Sequence, residues 1–232
     1  MPIQLDCINS PHVLETLLDV SPHRIRYIEC AVDYRFSQSL DMRLSQVGIH
    51  CKRVKAVKGW RAWCEPLEPL TEDWLMAAVR ADKCRKIMVL DGITDPHNLG
   101  ACLRSCAAFS IDAVMLAKHH SVKVTETVRN VACGGAERVP VVYAQNLARC
   151  LRSLKDEGYW VYGASESGDV ELSQVDFHSK SVLILGSEGK GMKKGIGQSC
   201  DVLFSIETQR DFSCLNVSVA AGVCVYVWGR CS

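Results

Sequence analysis

The 232-residue sequence has almost no net charge, no Cys-x-x-Cys pair and no apolar run long enough to cross a bilayer. Lys and Arg number 27 against 26 Asp and Glu, a formal balance of +1. That excludes a globally basic nucleic-acid binder, although phosphate affinity depends on a local patch rather than on the sum. The 13 cysteines are odd in number and scattered from Cys7 to Cys231, which fits neither a zinc site nor a disulfide framework. Several, such as Cys102, Cys106 and Cys224, sit in apolar stretches and read as small hydrophobes in a reduced, cytoplasmic protein. The most apolar stretch, Leu215 to Trp228, contains Asn216 and Ser218 and falls short of the ~20 residues a span needs, so it reads as a buried helix. The first residues lack a basic region and an apolar core, and no targeting segment is expected. What is there is ordinary globular composition, 48% hydrophobic and 23% charged, in a length suited to one large domain or a main domain with a small partner.

The chain divides into three. Residues 1–57 read as a small α/β unit, with helices over 12–20 and 40–47 and strands over 25–32 and 49–54. Residues 58–85 read as a linker holding one helix near 71–81, with Thr71 as N-cap. Residues 86–232 alternate short apolar strands with helices. Strands are expected near 87–90, 113–116, 139–143, 159–164, 182–185 and 202–206, and the last helix over 213–228. That alternation argues for an α/β fold with a mostly parallel sheet covered on both faces, in which ligands sit beyond the carboxyl ends of the strands.

Three strand-exit loops stand out. The first, Leu90-Asp-Gly-Ile-Thr-Asp-Pro-His-Asn-Leu-Gly-Ala-Cys-Leu-Arg104, joins a strand to a helix, with Asn98 as its expected N-cap. Arg104 lies in an otherwise apolar helix and needs a partner: either an internal ion pair or a phosphate or ribose oxyanion, which suits a planar guanidinium. The second, Leu185-Gly-Ser-Glu-Gly-Lys-Gly-Met192, has three glycines in six residues. It is neither a P-loop nor a dinucleotide fingerprint, and a tight left-handed turn explains it as well as close approach to a ligand. The third runs from Ile206 to Gly222, where Ser213 is the expected helix cap and Asn216 and Ser218 are polar in an apolar helix.

One segment breaks the charge balance. Lys52, Arg53, Lys55, Lys58 and Arg61 place five cations and no acid in ten residues, with Trp60 interleaved. The segment reads equally as an RNA contact, phosphates on the cations and a base on Trp60, or as a lysine-protected strand edge. His119 and His120 have no third ligand at useful spacing, so no metal is expected; Glu166 and Asp169 read as surface.

In this order, the three loops resemble the three motifs of the SpoU/TrmH-type RNA 2′-O-ribose methyltransferases of the SPOUT superfamily. Val131-Ala-Cys-Gly-Gly-Ala-Glu-Arg-Val-Pro140 resembles the intervening family segment. The nearest branch is the bacterial enzyme that methylates a guanosine ribose in large-subunit ribosomal RNA, and residues 1–57 are similar to its ribosomal-protein-like RNA-binding domain. The resemblance implies a C-terminal trefoil knot, S-adenosylmethionine as cofactor and a homodimer with sites near the interface. It implies cofactor contacts at Gly186, Glu188, Gly191, Ile206, Leu215 and Asn216, with Arg104 as the catalytic arginine and Asn98 shaping the site. A guanidinium stays protonated, so Arg104 serves better as a stabiliser of alkoxide charge than as a base.

The chain departs from the family pattern at Glu207, Arg210 and Cys214. These departures keep two other readings open: the same chemistry on transfer RNA, and a non-catalytic RNA-binding homologue.

Overall fold

The computed structural model describes residues 4–209 and 215–230. Arg210, Ser213 and Cys214 lie outside the described residues. The first unit contains β1 (Asp6–Ile8), α1 (Pro11–Val20), β2 (Ile25–Cys30), α2 (Gln38–Gln46), β3 (Cys51–Arg53) and β4 (Trp60–Cys64). Its sheet has the order β1-β4-β2-β3. Residues 60–64 were expected in the linker, yet they form an interior strand of this sheet. Their alternation explains it: Trp60, Ala62 and Cys64 are buried, while Arg61 and Trp63 face outward.

That placement corrects the reading of Trp60 as a base-stacking residue. It is 9% exposed, packs against Phe36 and belongs to the core of the first unit with Leu14, Leu17, Ile28 and Leu44. β3 is the sheet edge, with Lys52 and Arg53 exposed on it.

Beyond β4 follow α3 (Glu72–Arg80), β5 (Lys86–Asp91), α4 (Pro96–Ala108), β6 (Ala113–Ala117), α5 (Glu126–Val131), α6 (Gly135–Arg138), β7 (Val141–Ala144), α7 (Leu147–Asp156), β8 (Trp160–Ala164), β9 (Val170–Glu171), β10 (Ser181–Gly186), α8 (Lys194–Gly197), β11 (Val202–Ser205) and α9 (Val217–Gly229). The second sheet is parallel throughout, in the order β7-β6-β5-β10-β8-β11-β9. Its central strands are buried on both faces, as their near-continuous apolar sequences require. α3 is no free linker: Leu75 and Val79 are buried in the core on one face of this sheet. The Glu72 carboxylate accepts from the N–H of Gln145 at 2.6 Å and of Asn146 at 3.2 Å, and from Arg149 at 2.9 Å. Burial pushes that carboxyl up, but Arg149 and the two amides outweigh it and hold it below the ordinary carboxylate range.

The two units meet over a buried charge cluster. Arg129 on α5 is fully buried; it donates to Glu137 at 2.7 Å, to Asp6 of β1 at 2.8 Å and to the carbonyl of Glu65 at 3.1 Å. Arg24 reaches the other Glu137 oxygen at 2.7 Å. Asn130 exchanges hydrogen bonds with the backbone of Cys7 and Asn9 along the outer edge of β1. Gly134, at φ +91°, sits where a Cβ would lie 2.3 Å from Thr16 Oγ1, so only glycine lets α1 close on α6. Among the described residues no helix is long and apolar enough to cross a membrane.

Candidate active site

Strand order reverses between β5 and β10. On one side β6 and β7 lie outward from β5, and on the other β8, β11 and β9 lie outward from β10. A crevice beyond the carboxyl ends of the strands at such a switch point is where open α/β sheets bind ligands. Here the first two loops leave side by side, since Asp91 and Gly186 are in register at the ends of β5 and β10.

Each loop has a local reason for its shape. The first opens α4 earlier than expected: Asp95 is the N-cap, accepting from the N–H of His97 at 2.9 Å, and Pro96 is the first helical residue. Asn98 is therefore not the cap, and its side chain is free for other contacts. In the second loop Ser187 and Gly191 pair backbone to backbone, and Gly189 and Gly191 have φ of +72° and +63°. A Cβ on Gly186 would lie 2.0 Å from the carbonyl carbon of Gly191, so the tight turn accounts for this glycine. Asp91, buried at the end of β5, accepts from the N–H of Lys193 at 2.8 Å and anchors the loop's far end. In the third loop α9 begins at Val217, with Asn216 as the cap accepting from Ser218 N at 2.9 Å. The expected start at 213 and an Asn216 inside the helix are thereby corrected.

The three loops converge on one carboxylate. Glu188 Oε1 accepts from Asn216 Nδ2 at 2.5 Å, from Asn98 Nδ2 at 3.3 Å and from the N–H of Val217 at 3.2 Å. Asn216 Nδ2 also donates to Asn98 Oδ1 at 3.1 Å. A carboxylate at the first turn of α9 is favoured by the positive end of that helix. Residues 98, 188 and 216 thus form one polar cluster open to solvent.

Beside it lies a cavity of about 600 Å³ lined by Gly186, Glu188, Gly191, Ile206 and Leu215, all expected cofactor contacts. Asn216 adjoins it through Glu188 without lining it. Leu185, Leu203 and Val217 supply apolar wall; Ser187, Ser205 and Thr208 supply hydroxyls. Glu166, read from sequence as plain surface, lines the cavity from the β8 exit. Glu207 does not line the cavity; its carboxylate accepts from the Ser173 hydroxyl, which holds it below its ordinary range. That departure from the family pattern is turned away from the cavity. Cys102, inside the first motif, is buried in the core and its thiol is pushed up to about 12 by burial, so it is chemically quiet.

Arg104 is exposed on α4 and forms no ion pair among the described residues, so the internal-pair reading fails. Its backbone is closely supported: a Cβ on Gly135 would lie 2.9 Å from Arg104 Cα, so α6 seats directly against it. Arg104 does not line the cavity of its own chain. The expected RNA-binding residues lie on the first unit. Lys52, Lys55 and Lys58 are exposed. Arg53 is spent on the carbonyls of Ala31 and Tyr34, and Arg61 pairs with Glu29 at 2.7 Å.

The SpoU rRNA Methylase family profile matches residues 85–226, more than half the chain. This chain belongs to the SpoU methylase family. Curated relatives agree with that placement. A 23S rRNA (guanosine-2′-O-)-methyltransferase RlmB of Pseudomonas syringae is 36% identical over 242 aligned residues, covering 96% of this chain and 94% of the relative. The enzyme of the same name from Coxiella burnetii is 35% identical over 93% of this chain and 91% of its own length. Among solved structures, the SpoU methyltransferase AviRb of Streptomyces viridochromogenes in complex with AdoMet shares the fold at TM-score 0.79 and 20% identity, covering 98% of this chain and 90% of that one. The SpoU profile spans all three loops and the whole second sheet but leaves the first unit outside it.

Proposed function

We propose that this SpoU-family chain transfers the methyl group of S-adenosylmethionine to a ribose 2′-hydroxyl of RNA, with a guanosine of 23S ribosomal RNA as target. One observation carries the reading: the three loops meet at Glu188 on the rim of a cavity at the sheet's switch point. The relatives' names supply the RNA and the nucleotide. The cavity suits the cofactor in its apolar wall, which fits an adenine, and in a mixed-charge rim of Glu166 and Glu188 with Lys190, Lys193 and Lys194, which fits a ligand carrying both an ammonium and a carboxylate.

When bound there, S-adenosylmethionine supplies an electrophilic methyl group on a sulfonium. The backbone around Gly186, Gly191, Ile206 and Leu215 would hold it, while Asn98 and Asn216 fix the Glu188 carboxylate. The ribose 2′-hydroxyl would give its proton to water as its oxygen takes the methyl group and sulfur keeps the electron pair of the broken S–CH3 bond, so alkoxide charge builds on the oxygen in the transition state. Arg104, always protonated, stabilises the developing negative charge.

A homodimer belongs to the same reading. α9 carries no charged residue from 217 to 229, yet Val219, Val223 and Tyr226 face solvent at helical spacing. α4, with exposed Arg104, packs beside α9. A second copy on this face would deliver Arg104 to the partner's cavity. We also read the C-terminal part of the second unit as knotted: β11 lies beyond β8, and α9 packs back against α4 and β10. A cytoplasmic setting fits the free thiols of the described cysteines and a ribosomal RNA substrate.

The test is methyl transfer from labelled S-adenosylmethionine to total RNA, with ribose methylation mapped with and without the protein. A new 2′-O-methylguanosine in 23S RNA is expected; transfer to transfer RNA alone, or no cofactor binding at millimolar concentration, overturns the proposal. Arg104→Ala is expected to lower transfer by at least about 100-fold, with cofactor affinity by calorimetry changed only a few-fold. Near-normal turnover would remove Arg104 from the mechanism.

A further inference from the structure

The first unit leaves one face of its sheet uncovered. α1 and α2 close over the other face, onto Ile8, Ile28, Cys30 and Ala62. By strand register the open face carries Cys7, Trp63 and Tyr27 in one row and Arg61, Glu29 and Lys52 in the next. Solvent faces of antiparallel sheets are ordinarily polar, so two aromatic rings at the centre of one need a reason. A bulge between Ile25 and Tyr27 creates the arrangement, because it lets Ile25 stay in the core while Tyr27 turns outward.

The rings are held ready. Tyr27 and Trp63 stack with centroids 6.0 Å apart, and the Arg61 guanidinium lies 5.3 Å from the Trp63 ring centre. Glu29 fixes this set by its edges, accepting from Trp63 Nε1 at 3.1 Å and Arg61 Nε at 2.7 Å. Tyr27 is 40% exposed. It also borders a groove of about 570 Å³ lined by His23, Arg26, Val47, Ile49 and His50, with no carboxylate in its lining. Along the adjoining edge and turn, Lys52, Lys55 and Lys58 are exposed and form no ion pair among the described residues.

We infer that this sheet face is a stacking platform for unpaired bases of single-stranded RNA, with Tyr27 and Trp63 under the bases and the Lys52–Lys58 edge along the phosphates. The inference rests on the RNA reading above and deepens it by placing recognition of unpaired nucleotides on the first unit, outside the methyl-transfer cavity. Rings of this kind accept any base with a free π-face, which a duplex does not offer. The clamp by Glu29 lowers the ordering cost of binding.

The experiment uses the full chain and two probes, a short unstructured RNA oligonucleotide and a duplex RNA of equal length. Tyr27→Leu and Trp63→Leu should each weaken binding of the single strand by roughly 10-fold, with duplex binding and cofactor calorimetry unchanged; Tyr27→Phe and Trp63→Phe should restore it. Folded Leu variants with unchanged single-strand affinity, or with equal losses on duplex, overturn the platform. In wild-type protein, ultraviolet cross-linking of a photoreactive oligonucleotide should mark peptides containing Tyr27 or Trp63, and adducts found only elsewhere overturn it. The two readings fail separately. A chain that methylates RNA while its Leu variants bind normally loses only the platform; one whose platform binds RNA without methyl transfer loses only the activity.

Discussion

The two polar clusters of this molecule join distant parts of the chain by opposite means. At the junction of the units, Arg129 and Glu137 have fully buried side chains and are drawn together with Arg24 and Asp6 as full charges. At the candidate site, Glu188 is exposed and its partners are amides and one backbone N–H. Charges taken out of water hold only while every partner stays in place, because a lone buried charge is costly. Neutral donors around one solvated carboxylate can exchange for a ligand at little cost. The junction is therefore built to fix the first unit against the second, and the site is built to open.

Substitutions can break that contrast. Arg129→Ala leaves the buried Glu137 carboxylate with Arg24 as its remaining charged partner and should cost roughly 3–5 kcal/mol in urea denaturation, with faster proteolysis between 65 and 71. A loss below about 1 kcal/mol would put the junction in the same class as the site. Glu188→Gln should move global stability by less than about 1 kcal/mol because the group is exposed, while weakening cofactor binding roughly 10-fold; the reverse pattern would make the cluster structural. Glu72, a half-buried carboxylate, should fall between. Its folded value is lowered, so its stabilisation is complete above the ordinary carboxylate range and is lost as pH falls through the folded value. Glu72→Gln should therefore destabilise by about 1 kcal/mol at neutral pH, and the difference from wild type should vanish in acid. A pH-independent difference would remove the charge from the account.

The second unit was largely legible because its signals are local. Buried parallel strands are short apolar runs such as Ile87 to Leu90, and the loops between them concentrate glycine and polar residues. Asn98, Glu188 and Asn216 came from a family resemblance, and the structure shows the hydrogen bonds that make them one cluster. The junction was illegible. Arg129 sits in a helical pattern like any surface arginine, and its partners lie at 6, 65 and 137, separations no local period reports. β1 escaped because three residues carry no period. β4 is legible in principle, since Trp60, Ala62 and Cys64 alternate with Arg61 and Trp63, although the basic residues before it mask that period.

The last helix sets a schedule for the molecule. Trp228 is fastened to Ser181 at 2.8 Å, and Lys86 donates to the carbonyls of Trp228 and Gly229. The cluster at Glu188 needs Asn216, which the ribosome adds after both sheets are already encoded. During synthesis the first unit and the strands can form early, whereas the site waits for α9 to emerge and close contacts of long sequence separation. A nascent chain still short of Asn216 therefore has no complete candidate site.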